Sequence, residues 1–124
     1  RVDALAAWAR PRDVARRALL VEGDVRGGRT IVELRPVANI AAGEAAHRLG
    51  SAQVVREGEP VPVADVYVVR DAHRHAWMRD AADVEGSVVV ELGLPVWRPS
   101  RARGYIATYG GGRAALEAAE EVLR

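Results

Sequence analysis

Between Asp65 and Pro99 two short apolar runs, the second with Glu91 inside it, alternate with polar clusters, and the rest of the chain is organised around them. Val66 to Val69 and Ser87 to Leu92 lack the in-out alternation of a half-exposed strand, so each predicts a strand covered on both faces. Between them the spacing predicts a helix from about Ala72 to Val84. Asp71 stands as its N-cap, Trp77, Ala81 and Val84 form its inward stripe, and Gly86 is its stop.

Upstream, helical spacing covers Val2 to Ala9, Pro11 interrupts it, and Arg12 to Ala18 predicts a second short helix with the proline at its first position. Leu19 to Val21 and Thr30 to Leu34 predict strands flanking the glycine-bearing turn Asp24 to Arg29, and are expected to pair as a hairpin. Ile40 to Leu49 predicts a helix poor in large apolar residues, with Gly50 as its stop, and Gln53 to Arg56 a short strand. Gly58 to Pro62 reads as a loop. Downstream, Pro95, Trp97 and Pro99 make Leu94 to Gly104 an irregular crossing. Tyr105 to Thr108 predicts the last strand, Gly110 to Gly112 a turn, and Arg113 to Leu123 a helix with Leu116, Ala119 and Leu123 inward. This alternation means an α/β fold: a flavodoxin-like three-layer sandwich with a mostly parallel sheet and an antiparallel edge strand added by the early Leu19 segment.

Length and composition narrow the chemistry. The 124 residues make a single domain large enough for its own core. With no cysteine, thiolate metal sites and disulfides are excluded, and with no lysine so are Schiff-base and P-loop lysines. A formal net charge of +1, with arginines scattered among acids, speaks against a nucleic-acid partner. No apolar run approaches the roughly 20 residues that span a bilayer, so no membrane partner is expected. Arg1 is not a natural start, so the chain is expected to be cut from something longer.

The candidate chemistry gathers at the predicted strand ends, where ligands bind in open α/β sheets. Arg70, Asp71, His73 and Arg74 follow the first buried run and Glu91 closes the second. At a helix N-terminus, Arg70, His73 and Arg74 suit an anionic or hydroxyl-rich ligand; the alternative is an arginine pairing with Asp71 or Glu91 across neighbouring strand ends. Asp71, His73 and His75 would face one side of an extended chain as a metal site requires, but not on a helix, and we assign neither a metal nor any other cofactor. Gly110 and Gly111, within the turn Tyr109 to Arg113, resemble a phosphate cradle that lacks the dinucleotide spacing, and a tight strand-to-helix turn explains them better. Asp71 and Glu91 are the acids placed at adjacent strand ends, as a glycosidase pair would need, although a salt bridge to arginine is the commoner fate of such an acid. Ser51, Ser87 and Ser100 sit in no nucleophile elbow, so no catalytic residue is assigned. Trp97 suits a sugar platform, a partner domain or the end of the core equally.

Three ordered motifs carry a resemblance: VYVVRDAHRHAW, VVVELGLPVWRP and YIATYGGGRAALEAAEEVL. From about Ala18 to Leu123 the chain resembles the C-terminal α/β domain of actinobacterial glycoside hydrolase family 3 proteins of the β-N-acetylhexosaminidase type. Ala41 to Leu49 matches least, and Asp80 to Gly86 is shortened against the family. The resemblance implies a preceding (β/α)8 barrel that holds the nucleophilic aspartate and the histidine-bearing loop, neither of which is found here. Glu91 does not match the acid/base glutamate of the β-glucosidase branch. The implied role is therefore a noncatalytic accessory domain, with the N-terminal barrel as partner and a homodimer or a carbohydrate as further ones. An independent domain binding a small molecule or anion is the alternative. A bacterial source is implied, and the compartment, cytoplasmic or exported, is left open.

Overall fold

The computed structural model describes residues 18–37 and 48–124. Among them six strands form one sheet: β1 (Leu20–Gly23), β2 (Ile31–Arg35), β3 (Gln53–Arg56), β4 (Val66–Val69), β5 (Val88–Glu91) and β6 (Gly104–Ala107). A 3₁₀ turn (Ala72–Arg74) and helix α1 (Ala76–Ala82) connect β4 to β5, and α2 (Arg113–Leu123) follows β6. The helices expected over Val2 to Ala9, Arg12 to Ala18 and Ile40 to Leu49 lie in, or run into, the segments outside the described residues.

The sheet order is β1-β6-β5-β4-β2-β3. Strands β2 to β6 run parallel in the flavodoxin-like order, and β1 joins β6 antiparallel, with Leu20 opposite Ala107 and Gly23 opposite Gly104. The fold is thus the expected three-layer sandwich with an antiparallel edge strand.

The expected hairpin between the first two strands does not form, because β1 and β2 are separated by β6, β5 and β4. Their connection carries Val25, which is buried in the α2-side core, so the segment crosses beneath the sheet instead of turning back on itself. Gly27 donates to the carbonyl of Leu123 at the end of α2 and fixes that crossing.

Alternation along each strand separates two cores. Val32, Leu34, Tyr67, Val69, Val89, Tyr105 and Ala107 face α1, which contributes Met78 and Ala82, with Trp77, Ala81, Val84 and Trp97 at the margin. Val66, Val68, Val88, Val90 and Ile106 face α2, which contributes Leu116, Ala119 and Leu123 as its pattern predicts. On the α1 side the deepest helical residues are Met78 and Ala82, one position beyond the expected Trp77–Ala81 stripe. The shift follows from the helix starting at Ala76 and not at Ala72.

Candidate functional site

At the carboxyl end of the sheet, backbone strain and a buried acid decide the geometry. Asp71 adopts the left-handed conformation (φ 51°, ψ 49°), unusual for a residue with a side chain, and its carboxylate does not cap the turn that follows. Long-range hydrogen bonds hold it there. Its N–H donates to Glu91 Oε2 (2.7 Å), while its own Oδ1 accepts from Leu94 N–H (2.9 Å). His75 is extended (φ −130°, ψ 96°) and divides the expected single helix into the 3₁₀ turn and α1. Arg70, His73 and Arg74 therefore precede the α-helix instead of lying at its N-terminus.

Glu91 is fully buried (0 % exposed) at the end of β5. Besides the Asp71 N–H, its Oε2 accepts from Gly93 N–H (2.9 Å), and its Oε1 accepts from Ala72 N–H (3.1 Å). Burial pushes the carboxyl above its ordinary range, against the pull of these three donors, and the Asp71 carboxylate adds to the rise. The arrangement binds two loops to each other. A side chain at Gly93 would meet Asp71 Oδ1 at 2.2 Å, so only glycine fits the junction.

The sheet then separates the residues that the sequence grouped. Glu91 shares the α1 face with Val89 and Tyr105, whereas Arg70, next after Val69, turns toward the α2 face. Arg70 is exposed and makes no hydrogen bond or ion pair with the described residues, so the expected pairing with Asp71 or Glu91 is not formed. Its guanidinium lies against the glycine turn: a Cβ on Gly111 would stand 2.3 Å from Arg70 Nη2. Thr108 Oγ1 donates to the Gly110 carbonyl (2.6 Å), and Tyr109 takes φ 57° with its ring exposed. The structure thus unites Arg70 with Gly111, and Asp71 with Glu91, as two separate sets.

His73 uses its carbonyl, with that of Ala72, to accept from Arg79 Nη1 (2.8 and 2.9 Å), and its Nδ1 is buried without a hydrogen-bond partner. Arg74 is exposed. Among the described residues no group of three or more His, Asp or Glu is placed to hold a metal ion.

Sequence reasoning missed three acids. Asp83, just past α1, accepts from Ser100 N–H and Oγ, Arg101 N–H (2.7 Å) and Ala102 N–H, and so fixes the loop before β6. Burial works to raise Asp83, yet the N–H groups of Arg101 and Ser100, with the Ser100 hydroxyl, outweigh it and bring it below the ordinary value. Asp65 is lowered by the N–H groups of Arg29 and Thr30. Glu33 is buried in β2 and paired with Arg35 (Nε to Oε2, 2.5 Å). The signal that singled out Glu91, an acid inside an apolar run, marks Glu33 as well.

No protein-family model matches the chain, and no curated protein matches it. Among solved structures it is similar to a fungal multi-domain glycoside hydrolase family 3 β-N-acetylglucosaminidase containing a GCN5-related glucosamine N-acetyltransferase region. The TM-score is 0.50 at 13% identity, over 90% of this chain and 17% of that one. The likeness is one of α/β fold, and the chain spans about a sixth of that protein's length.

Proposed function

We propose that the chain is a noncatalytic accessory domain of a glycoside hydrolase family 3 enzyme of the β-N-acetylhexosaminidase type, packed against the catalytic (β/α)8 barrel of the same protein. The observation that carries this reading is the state of Glu91. The acid best placed for catalysis is fully buried, and its two oxygens are occupied by three backbone N–H groups. A general acid must present its proton to a leaving group, and this carboxyl presents its oxygens to the chain itself. Its work is to make the carboxyl-end loops rigid, which suits a surface that another domain rests on. Occurrence of a similar fold within a much larger enzyme of that family supports the assignment.

Two measurements test it. The purified chain is expected to leave a chromogenic N-acetylglucosaminide intact; turnover that Glu91→Gln abolishes would overturn the noncatalytic reading. The gene is expected to encode a barrel with the histidine-bearing loop upstream of Arg1, and an initiator codon directly before Arg1 would refute the accessory role.

A second reading is favoured by Arg70, whose guanidinium stands unpaired beside Gly111 at the entrance to α2. It makes the domain a binder of small anions in its own right, with Arg70 and the Gly110–Gly111 backbone as the contact set. Calorimetric titration with phosphate and sugar phosphates, repeated in Arg70→Ala, distinguishes the two. Heat that disappears in the variant supports this reading, and flat titrations in both proteins remove it.

A further inference from the structure

At the opposite end of the sheet, β1 and β6 enclose a cleft with the loop that precedes β6. Its volume is about 180 Å³, and its walls are Glu22, Gly23, Arg98, Pro99, Ala102, Arg103, Gly104 and Tyr105. A void of this size holds several waters, the scale of one small solute and not of a chain.

The polar groups around it are partly engaged. Arg98 gives its Nε to Glu22 Oε1 (2.9 Å) and its Nη1 to the Pro95 carbonyl (2.7 Å), and its guanidinium lies 4.7 Å from the centre of the Tyr105 ring. Arg103 gives its Nε to the Gly86 carbonyl and its Nη1 to the Asp24 carbonyl, 3.3 Å from Asp24 Oδ2. Arg103 Nη2 has no partner among the described residues, and the charge of Arg98 acts on the Tyr105 hydroxyl. Glu22 Oε2 is likewise unused. Tyr105 is 3% exposed, and its hydroxyl is buried without a hydrogen-bond partner.

Charge and valence then select the ligand. Two arginines stand beside two acids, Glu22 and Asp24, so the cleft carries no surplus positive charge to attract an anion. What remains is a set of guanidinium donors together with a carboxylate acceptor, while Pro99 and Ala102 supply apolar surface. A neutral polyhydroxylated ligand offers hydroxyl oxygens to the first, hydroxyl protons to the second and C–H faces to the third. Gly23 and Gly104 face each other across β1 and β6, and their backbones approach so closely that a Cβ on either would strike a carbonyl oxygen at 2.4 or 2.3 Å.

We infer that the β1–β6 cleft is a binding site for one monosaccharide-sized, neutral polyol, held by Arg98, Arg103 and Glu22. The site opens at the amino end of the sheet, and it stands or falls independently of the accessory role.

The test is an NMR titration of the uniformly ¹⁵N-labelled chain, with N-acetylglucosamine, glucose, glycerol, acetate and inorganic phosphate as separate probes. Saturable shifts of the Gly23, Gly104 and Tyr105 amides are expected with a monosaccharide, at Kd in the millimolar range typical of a shallow site. Glu22→Gln, at an exposed side chain that leaves the core untouched, is expected to weaken binding about tenfold, and Arg98→Gln similarly. Saturation by phosphate or acetate in preference to sugars would assign the cleft to anions and overturn the inference. So would sugar shifts confined to the Arg70–Gly111 turn, or sugar shifts at the cleft that both variants leave unchanged.

Discussion

The two ends of the sheet are held by the same device in opposite electrostatic settings. At the carboxyl end Glu91 gathers three backbone N–H groups from two loops, and at the amino end Asp83 gathers three N–H groups and a hydroxyl from one. Glu91 does so out of contact with water, and burial dominates and raises its pKa. Asp83 does so half-buried, and the hydrogen bonds dominate and lower it. Donor count alone therefore does not fix the sign of a carboxylate's shift, because the solvent each oxygen has given up weighs against every N–H it has gained.

The strongest way to break the comparison is Glu91→Ala, which strands three N–H groups inside the protein. A loss of about 3 kcal/mol or more is expected in urea unfolding, given roughly 1–3 kcal/mol for each orphaned buried group and incomplete additivity. A loss below about 1 kcal/mol would mean that other contacts hold the two loops. Gly93→Ala comes next. Its Cβ has no room beside Asp71, and about 2 kcal/mol should be lost. If Asp71→Gly fails to restore part of that loss, the Asp71 carboxylate is not its source.

Asp83→Ala is expected to cost less, about 1–2 kcal/mol, since water replaces much of what the loop loses. Its signature is local: amide exchange should quicken at Ser100, Arg101 and Ala102 and stay slow at Val88 to Val90. Uniform quickening would contradict the division into two ends. Arg70→Ala is the smallest perturbation, within about 0.5 kcal/mol, because the guanidinium has no described polar partner. A larger cost would reveal a contact that packing on Gly111 does not account for.

The pH dependence sharpens the contrast further. A raised carboxyl contributes stability that is present below its unfolded value, 4.5 for Glu91, and lost as pH rises through the folded value. A lowered one contributes stability present above its unfolded value, 3.8 for Asp83, and lost as pH falls through the folded value. Glu91→Gln should accordingly flatten the decline above pH 4.5, and Asp83→Asn the acid loss below pH 3.8. Stability curves of the two variants that move together would refute the opposed signs.

What the sequence disclosed follows the range of the interactions concerned. The buried strands β4 and β5, the Gly110–Gly112 turn and the inward stripe of α2 all depend on neighbours within a few residues, and they are legible as pattern. The break at His75 is not, since Asp71 is held in its left-handed conformation by Glu91 and Leu94, 20 and 23 residues away. Locally, an aspartate before an apolar stripe reads as an N-cap. The same reason hid the partner of β1: a glycine turn and a second strand imitate a hairpin, while Val25 is drawn into a core completed by α2. Of the candidate site, the members were visible and their division between two faces was not. That division depends on where β4 ends, and a single residue decides which face Arg70 takes.

The antiparallel pairing of β1 with β6 also has a meaning in time. Asp24 and Arg103, which close that pairing, are 79 residues apart, so the first described strand of the chain must wait for the last before it has a neighbour. During synthesis the parallel strands β2 to β5 can assemble while β1 remains unclaimed, and joining β1 to β6 is then the act that completes the sheet. A ribosome-bound chain ending before Gly104 should leave Leu20 to Gly23 open to protease, and one extended past Ala107 should protect it.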